Sequence, residues 1–476
     1  MQHSPLKGRK AMAENGITTL KRIIRLALPA IFENVMATLA NIVDVAMVGS
    51  LGAAATAAAA LNAQPLWLAN STSMLVAGGA MVLTARCCGA RDEERGRVYA
   101  EHAVWMALCL GSLLTCAAWL ASGPYASLMH AAPNVAPDAK AYMRIVGSAL
   151  VFLTLSRTLA GVIQGSGNTV TPMKISLFAN LCNVVGNYLL IYPPRTAELG
   201  SLRLPMWGAG WGVRGAAVST AFSLVITGVL LMHALIRQNS AFRVSFRRLS
   251  ALSRRRAWDI LSVGIPIASE RIVMSTGQIF YMGIISTLGT VSVSAHYLAV
   301  TVEGVCYNPA FGVSVAATAL VGQALGAGHE PQAERDGRFS IGFCFAVMVL
   351  VSACLYIFAE PLIRLFTNDA AVAAQGAAAL RIVSFAEPFL GVALTAAGAL
   401  RGAGDTVFPL WLGIFTMYFV RLISARVFVL HMGLGLAGAW YAMDLDMALR
   451  GLALWAYFLS GRWKNRSRRL SARTTG

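Results

Sequence analysis

Leu28-Pro29-Ala30-Ile31-Phe32-Glu33 returns 237 positions later as Ile265-Pro266-Ile267-Ala268-Ser269-Glu270. The same shift, without a gap, lays Leu51-Gly52 on Leu288-Gly289, Leu61 on Leu298 and Gly89-Ala90 on Gly326-Ala327. It also lays Gly165-x-Gly167-x-Thr169-x-x-Pro172 on Gly402-x-Gly404-x-Thr406-x-x-Pro409. Beyond an insertion around 193–208 the shift drops to 223, and Gly212-x-x-Gly215-Ala216 meets Gly435-x-x-Gly438-Ala439. Two prolines, a glutamate and a glycine pattern do not coincide at one offset by chance. The chain is an internal duplication.

Composition says what is duplicated. Of 476 residues 57% are hydrophobic and only 13% charged, with mean hydropathy +0.62. A soluble chain carries about 25% charged residues, so this one lacks the polar surface to face water, and it is too apolar for disorder. Stretches of about 20 apolar residues, the length that crosses a bilayer, begin near 23, 54, 99, 143, 173, 212, 260, 294, 339, 377, 407 and 434. The expected fold class is an all-α polytopic membrane protein, with twelve transmembrane helices in two pseudo-symmetric six-helix lobes. Each half holds an even number of spans, so both halves start on the same side and the repeat is parallel, about an axis along the membrane normal. The expected organisation is an N-terminal segment 1–22, a first lobe 23–236, a basic linker 237–258, a second lobe 259–460 and a basic tail 461–476.

The net charge is +18. With both ends placed inside, 28 of the 39 Lys and Arg fall on the inner side and seven outside. The positive-inside rule therefore puts both termini in the cytoplasm, here of a bacterial inner membrane, with the bases meeting lipid headgroups and not nucleic acid. The eight Cys lie mostly within apolar runs and show no metal-ligand spacing. There is no phosphate-binding G-x-x-x-x-G-K-[ST] loop and no nucleophile elbow. An enzyme, a resident metal and a cofactor are not expected, and a monomer is.

Ionisable residues inside spans cost a few kcal/mol and normally face a cavity or a partner. Glu33 and Asp44 share the first span, eleven residues apart. At 100° per residue they lie on one face, ~16 Å apart in height. Two acids on one stripe suit a cation path or proton relay; alternatively Glu33 only bonds a neighbouring helix. Asn180, Asn183 and Asn187 form one face of the fifth span, able to hydrogen-bond a carboxylate or cargo, or to join helices, and Thr220 in the sixth span either joins that group or is a satisfied packing residue. In the second half Glu270 repeats Glu33, but Tyr281 stands where Asp44 would recur, so ion chemistry is expected in the first half. Glu303 and Glu387 are further intramembrane acids. Asp446 and Arg450, at i and i+4, read as a self-neutralising pair, with Asp444, Arg421 and Arg426 in a similar network.

These strings resemble one family. Leu28-Pro29 followed by Val43-Asp44-x-x-Met47-Val48-Gly49 is similar to the opening helix of multidrug and toxic compound extrusion (MATE) transporters. Asn183-x-x-x-Asn187-Tyr188-Leu189-Leu190-Ile191 resembles their fifth helix. Gly322-Gln323-x-Leu325-Gly326-Ala327-Gly328 and Ala399-Leu400-Arg401-Gly402-x-Gly404-Asp405-Thr406 resemble the loops after the eighth helix and before the eleventh. The likeness runs from about residue 20 to 465. It implies a twelve-helix carrier exporting organic cations in exchange for protons or sodium ions. By that resemblance Asp44 matches the first-helix coupling acid, with sodium or a proton held near it. Asn183 and Asn187 match the polar pair beside it, some members having Asp at the position of Asn187, and Thr220 matches the sixth-helix hydroxyl. Glu270 matches a Glu that a subgroup carries soon after its seventh-helix proline.

The expected function is thus secondary antiport by alternating access, cargo being a small cationic or amphipathic molecule. Glu270, Glu303, Tyr281, Asn180, Phe32, Met36 and Trp67 are candidate cleft residues, the aromatic and Met side chains giving an adaptable apolar lining. The alternative within the fold is a flippase for a lipid-linked saccharide, which would need a basic cleft for pyrophosphate.

Overall fold

The computed structural model describes residues 5–129, 131–199, 202–237 and 253–475. Positions 238–252 of the expected basic linker, and residues 1–4 of the N-terminal segment, lie outside the described residues. Without water in the bilayer core every backbone N–H and C=O must be satisfied within its own segment, and the chain answers with helices. In the first half these are α1 (Pro5–Gly49), α2 (Ala53–Gly89), α3 (Glu93–Leu128), α4 (Ala136–Ser148), α5 (Leu150–Gly165), α6 (Val170–Ile191) and α7 (Gly212–Arg237). The second half holds α8 (Arg254–Ser286), α9 (Thr290–Gly326), α10 (Glu330–Ile357), α11 (Ala359–Arg364), α12 (Ala370–Val383), α13 (Glu387–Gly402), α14 (Val407–Ile414), α15 (Leu422–Arg426), α16 (Gly435–Leu459) and α17 (Trp463–Thr475).

Twelve spans emerge from these elements. Eight are long and apolar enough on their own: α1 from Gly16, α2, α3, α6, α7, α9, α10 and the continuous stretch Val407–His431. Two more are bent pairs, α4 with α5 at 44° and α12 with α13 at 53°. The breaks fall at Ala149 and before Glu387, repeat-related places in the two halves. The remaining two, α8 and α16, have the length but carry charges: Glu270 and Arg271 in one, Asp444, Asp446 and Arg450 in the other. The eleventh span is wound as a π-helix over Phe415–Arg421 and Val427–His431, whereas its counterpart α6 is regular throughout. The insertion expected around 193–208 is an antiparallel hairpin, β1 (Arg195–Leu199) with β2 (Leu202–Met206), Arg195 opposite Met206.

Small residues let these helices approach at matched places in both halves, as bundles in lipid require. A Cβ added at Gly161 would stand 2.8 Å from the Ala77 carbonyl oxygen, and one at Gly398 2.5 Å from that of Ser314. Both residues of the first pair map onto the second by the 237-residue shift. The turns Gly165–Gly167 and Gly402–Gly404 close with Gly167 at φ 89° and Gly404 at φ 74°, a backbone region that favours glycine.

The chain divides into two compact units, and each takes in a leading piece of the other sequence half. One comprises Met1–Phe32, Ala85–Asp92 and Ile265–Gly476; the other Glu33–Thr84 and Glu93–Gly264. In the first, Gly312 of α9 admits the Ile31 backbone, while Gly89 lies on the Gln323 backbone and Gly326 on that of Arg86. Gln323 and Arg86 are themselves repeat-mates, so this contact is reciprocal under the duplication. In the second, the start of α8 packs on α2, Gly264 against the Leu75 backbone and Gly79 against that of Ile260.

The basic tail is an ordered helix, α17. Buried Trp463 stacks on Phe458 with ring centroids 5.3 Å apart. Its bases pair with Glu334 (Lys464, 2.7 Å), Asp405 (Arg466, 2.7 Å) and Glu330 (Arg468, 2.8 Å). Buried Arg86 donates to the carbonyl oxygens of Ser467 at 3.3 Å and Ala403 at 2.7 Å.

Gly161→Ala and Gly398→Ala are each expected to cost about 1–3 kcal/mol, as overpacking does, read as an earlier unfolding midpoint in mixed dodecyl maltoside and SDS. Gly283→Ala, with nothing within 4 Å of the new methyl, is expected to leave the midpoint unchanged or raise it.

Candidate functional site

Asp44 lies on α1, three turns past Glu33, and the structure gives it an amide partner. Asn187 of α6, fully buried, donates through Nδ2 to Asp44 Oδ1. Its own Oδ1 is buried with no hydrogen-bond partner among the described residues. A buried acceptor left unpaired costs about 1–3 kcal/mol. The place beside Asp44 is therefore one where a donor, or a cation, would be stabilised.

Tyr142 of α4 completes the surroundings. Its side chain lies within interaction range of Thr220 on α7, and Asp44 acts on it electrostatically. Sequence reasoning named Asp44, Asn187 and Thr220 as candidates but not this tyrosine, because α4 is a short helix set by the break at Ala149 and no periodicity points its one tyrosine at the acid. Asn183 turns elsewhere: its Nδ2 donates to Ser219 Oγ at 3.4 Å, and that hydroxyl donates back to the Asn183 carbonyl oxygen at 2.8 Å. It serves the joint between α6 and α7. Asn180 is half-buried, with its Nδ2 unpartnered among the described residues. An apolar groove of about 710 Å³ runs between α1 and α6, lined by Val43, Met47, Val185 and Tyr188 among others.

Glu33 receives two neutral donors, Ser176 Oγ at 3.0 Å and Gln164 Nε2 at 3.4 Å. Its repeat-mate Glu270 is held differently, by Arg401 Nη2 at 2.7 Å. Of the other cleft candidates, Phe32 and Trp67 are exposed and Met36 is half-buried.

The second half holds its own polar cluster. Tyr281 is buried and donates to the Ala439 carbonyl oxygen at 2.7 Å, with the Arg421 guanidinium 5.7 Å from its ring. Buried Asp446 is flanked by Arg421 at 2.7 Å and Arg450 at 2.5 Å, so the i, i+4 pair is one arm of a three-residue ion network. Buried Glu303 accepts from Tyr307 Oη at 2.5 Å. Glu387 is fully buried with both carboxyl oxygens unpartnered among the described residues. Among those residues no group of three His, Cys, Asp or Glu side chains is placed to hold a metal ion.

A duplicated twelve-span bundle with carboxylates sunk among its helices is the build of a secondary transporter. The MatE family model matches residues 29–189 and again 266–427, the second match starting 237 positions after the first. The chain belongs to the MatE family. It is 30% identical over 452 residues to the "Probable multidrug resistance protein NorM" of Thermotoga maritima, covering 94% of each chain. It is 27% identical to the protein of the same name from Pseudomonas putida, covering 92% of this chain and 93% of the relative. Among solved structures, one titled "Outward-facing conformation of a multidrug resistance MATE family transporter of the MOP superfamily" superposes with a TM-score of 0.85 at 24% identity, over 96% of this chain and 97% of the other. That likeness shows the fold.

Tyr142→Phe removes the hydroxyl that interacts with Thr220 and with the Asp44 charge. It is expected to displace the midpoint of the pH profile of ethidium efflux from reconstituted vesicles without abolishing transport.

Proposed function

We propose that this protein is an antiporter that exports cationic or amphipathic drug-like molecules by alternating access, with a proton as the coupling ion taken up at Asp44. The observation that carries the reading is the orphaned Oδ1 of Asn187 beside a carboxylate that already accepts from the same amide. Once protonated, Asp44 supplies the missing donor: its O–H can give to Asn187 Oδ1 while the amide N–H gives to the other carboxyl oxygen. That closed acid–amide pair satisfies every polar atom of the two groups, whereas the ionised form leaves one acceptor unpaired and a charge in apolar surroundings. Protonation thus changes how tightly α1 is held to α6. A ligand shifts a two-state equilibrium only by its differential affinity for the two states, and this pairing supplies such a difference for the proton.

Sodium is the second reading, since carboxylate and amide oxygens also suit a hard cation. The interaction of Tyr142 with both Thr220 and Asp44 supports Thr220 as part of the same site, with Tyr142 added. The relatives' name, multidrug resistance protein, supports drug-like cargo, as do the acids and the apolar groove between α1 and α6. The excess of bases at the two ends supports cytoplasmic termini in a bacterial inner membrane, and the two repeat-related lobes would act as a monomer.

Purified protein in phosphatidylcholine vesicles, loaded with ethidium, is expected to release the dye when a pH gradient alone is imposed. A sodium gradient alone is expected to give no release, and the reverse outcome assigns sodium. Asp44→Asn, which keeps the size and an amide-compatible shape, is expected to fall to the level of empty vesicles. Full-rate dye movement by that variant removes Asp44 from the mechanism.

A further inference from the structure

The duplication allows one half to serve as the control for the other, and the two glutamates that it pairs are partnered in opposite ways. Glu33 on α1 and Glu270 on α8 are repeat-mates, and so are their partners: the 237-residue shift that carries one glutamate to the other carries Gln164 to Arg401. The same geometric bond therefore occurs twice. In the second half it is an ion pair, Arg401 Nη2 to Glu270 Oε2 at 2.7 Å. In the first it is a neutral and longer contact, Gln164 Nε2 to Glu33 Oε2 at 3.4 Å. The other neighbours differ too. Ser176 Oγ donates to Glu33 at 3.0 Å, while its counterpart Gly413 offers no side chain, only space against the Glu270 stem.

We infer that Glu33 is a second proton-accepting carboxylate of the first half, and that Gln164, standing where the second half has Arg401, is the residue that leaves it free to accept. This rests on the proton-coupled reading of Asp44. A guanidinium stabilises only the ionised carboxylate, and breaking a partly buried pair strands both charges, so Glu270 is locked. An amide and a hydroxyl can donate to a carboxylate and equally accept from a carboxylic acid, so Glu33 keeps hydrogen bonds in either state. The charged groups on the packed helices do not cancel this. Arg157 of α5, whose counterpart is Leu394, acts on Glu33 electrostatically but forms no ion pair with it. Lys174 of α6 is exposed and makes none either. Glu33 and Asp44 lie on one stripe of α1, and α1 passes from one compact unit to the other between Phe32 and Glu33. The first half then carries two proton stations on a single helix, and the second half keeps one of the two matched glutamates as a structural tie.

Dicyclohexylcarbodiimide tests this without any cargo, because it couples to protonated carboxyls in apolar surroundings and to ionised ones far more slowly. The full chain in phosphatidylcholine vesicles is labelled across a pH series, and modified sites are read by peptide mass mapping. Glu33 is expected to label increasingly as pH falls, and Glu270 about tenfold less, the ratio that ~1.4 kcal/mol of ion-pair stabilisation sets. Gln164→Arg is expected to protect Glu33, whereas Gln164→Leu, which adds no charge, keeps it reactive. Arg401→Gln is expected to bring Glu270 to the level of Glu33, a reciprocal change that holds even if Gln164→Arg fails to fold. Equal labelling of the two glutamates in the parent, no labelling of Glu33 at any pH, or an unchanged Glu270 in Arg401→Gln overturns the inference. Ethidium efflux on the same vesicles separates the two ideas. Loss of pH-driven efflux with the labelling contrast intact rejects the coupling reading alone, and efflux without the contrast rejects the role of Gln164.

Discussion

A carboxylate among apolar helices must be matched by a cation, held by neutral donors, or relieved of its charge by a proton, and the acids of this chain sort themselves by which of these they receive. Asp446 lies between Arg421 and Arg450, Glu270 against Arg401, and Asp405 against Arg466 with Tyr457 donating at 2.7 Å. These acids hold charges that are already answered, and they fasten helices. Asp44 and Glu33 have amides and a hydroxyl instead. The difference in partner chemistry separates acids tied to cations from acids held by neutral donors.

The second constraint is the duplication itself. Because both halves descend from one pattern, close approaches recur at matched glycines, and the fourth span of each half breaks at the same place. The halves also exchange leading segments. The start of α1 and the turn around Arg86 pack with the second half, and the start of α8 packs with the first. At Arg86 and Gln323 the exchange is reciprocal, each lying under the glycine that follows the other. Departures from the pattern are then the informative positions. Tyr281 for Asp44, Arg401 for Gln164 and π-helical winding in the eleventh span each mark where the two halves differ.

Much of this was legible in the chain before folding was considered. The repeat offset and the twelve spans followed from spacing alone, since a 237-residue shift and a 20-residue apolar run are one-dimensional signals, whereas the family resemblance was what set Asn187 beside Asp44. The stripe of asparagines was only partly legible. Helical periodicity puts Asn183 and Asn187 on one face, but it cannot say that Ser219 of α7 claims the first while Asp44 claims the second. The pairing of Gln164 with Glu33 could have been anticipated, because its repeat-mate Arg401 stands in a recognisable string, yet a glutamine near the end of a span carries no signal by itself.

Composition, hydropathy and internal symmetry by themselves determined the class of fold, the number of spans and which intramembrane acids exist, because each depends on residue identity and position along one helix. Only the tertiary structure decided which acids are neutralised, that Tyr142 of α4 belongs beside Asp44, and that the basic tail is a docked helix paired with Glu330, Glu334 and Asp405. Those outcomes depend on side chains from different helices meeting within about 3 Å, the range over which a hydrogen bond forms, and no single helix's pattern encodes what another will present to it.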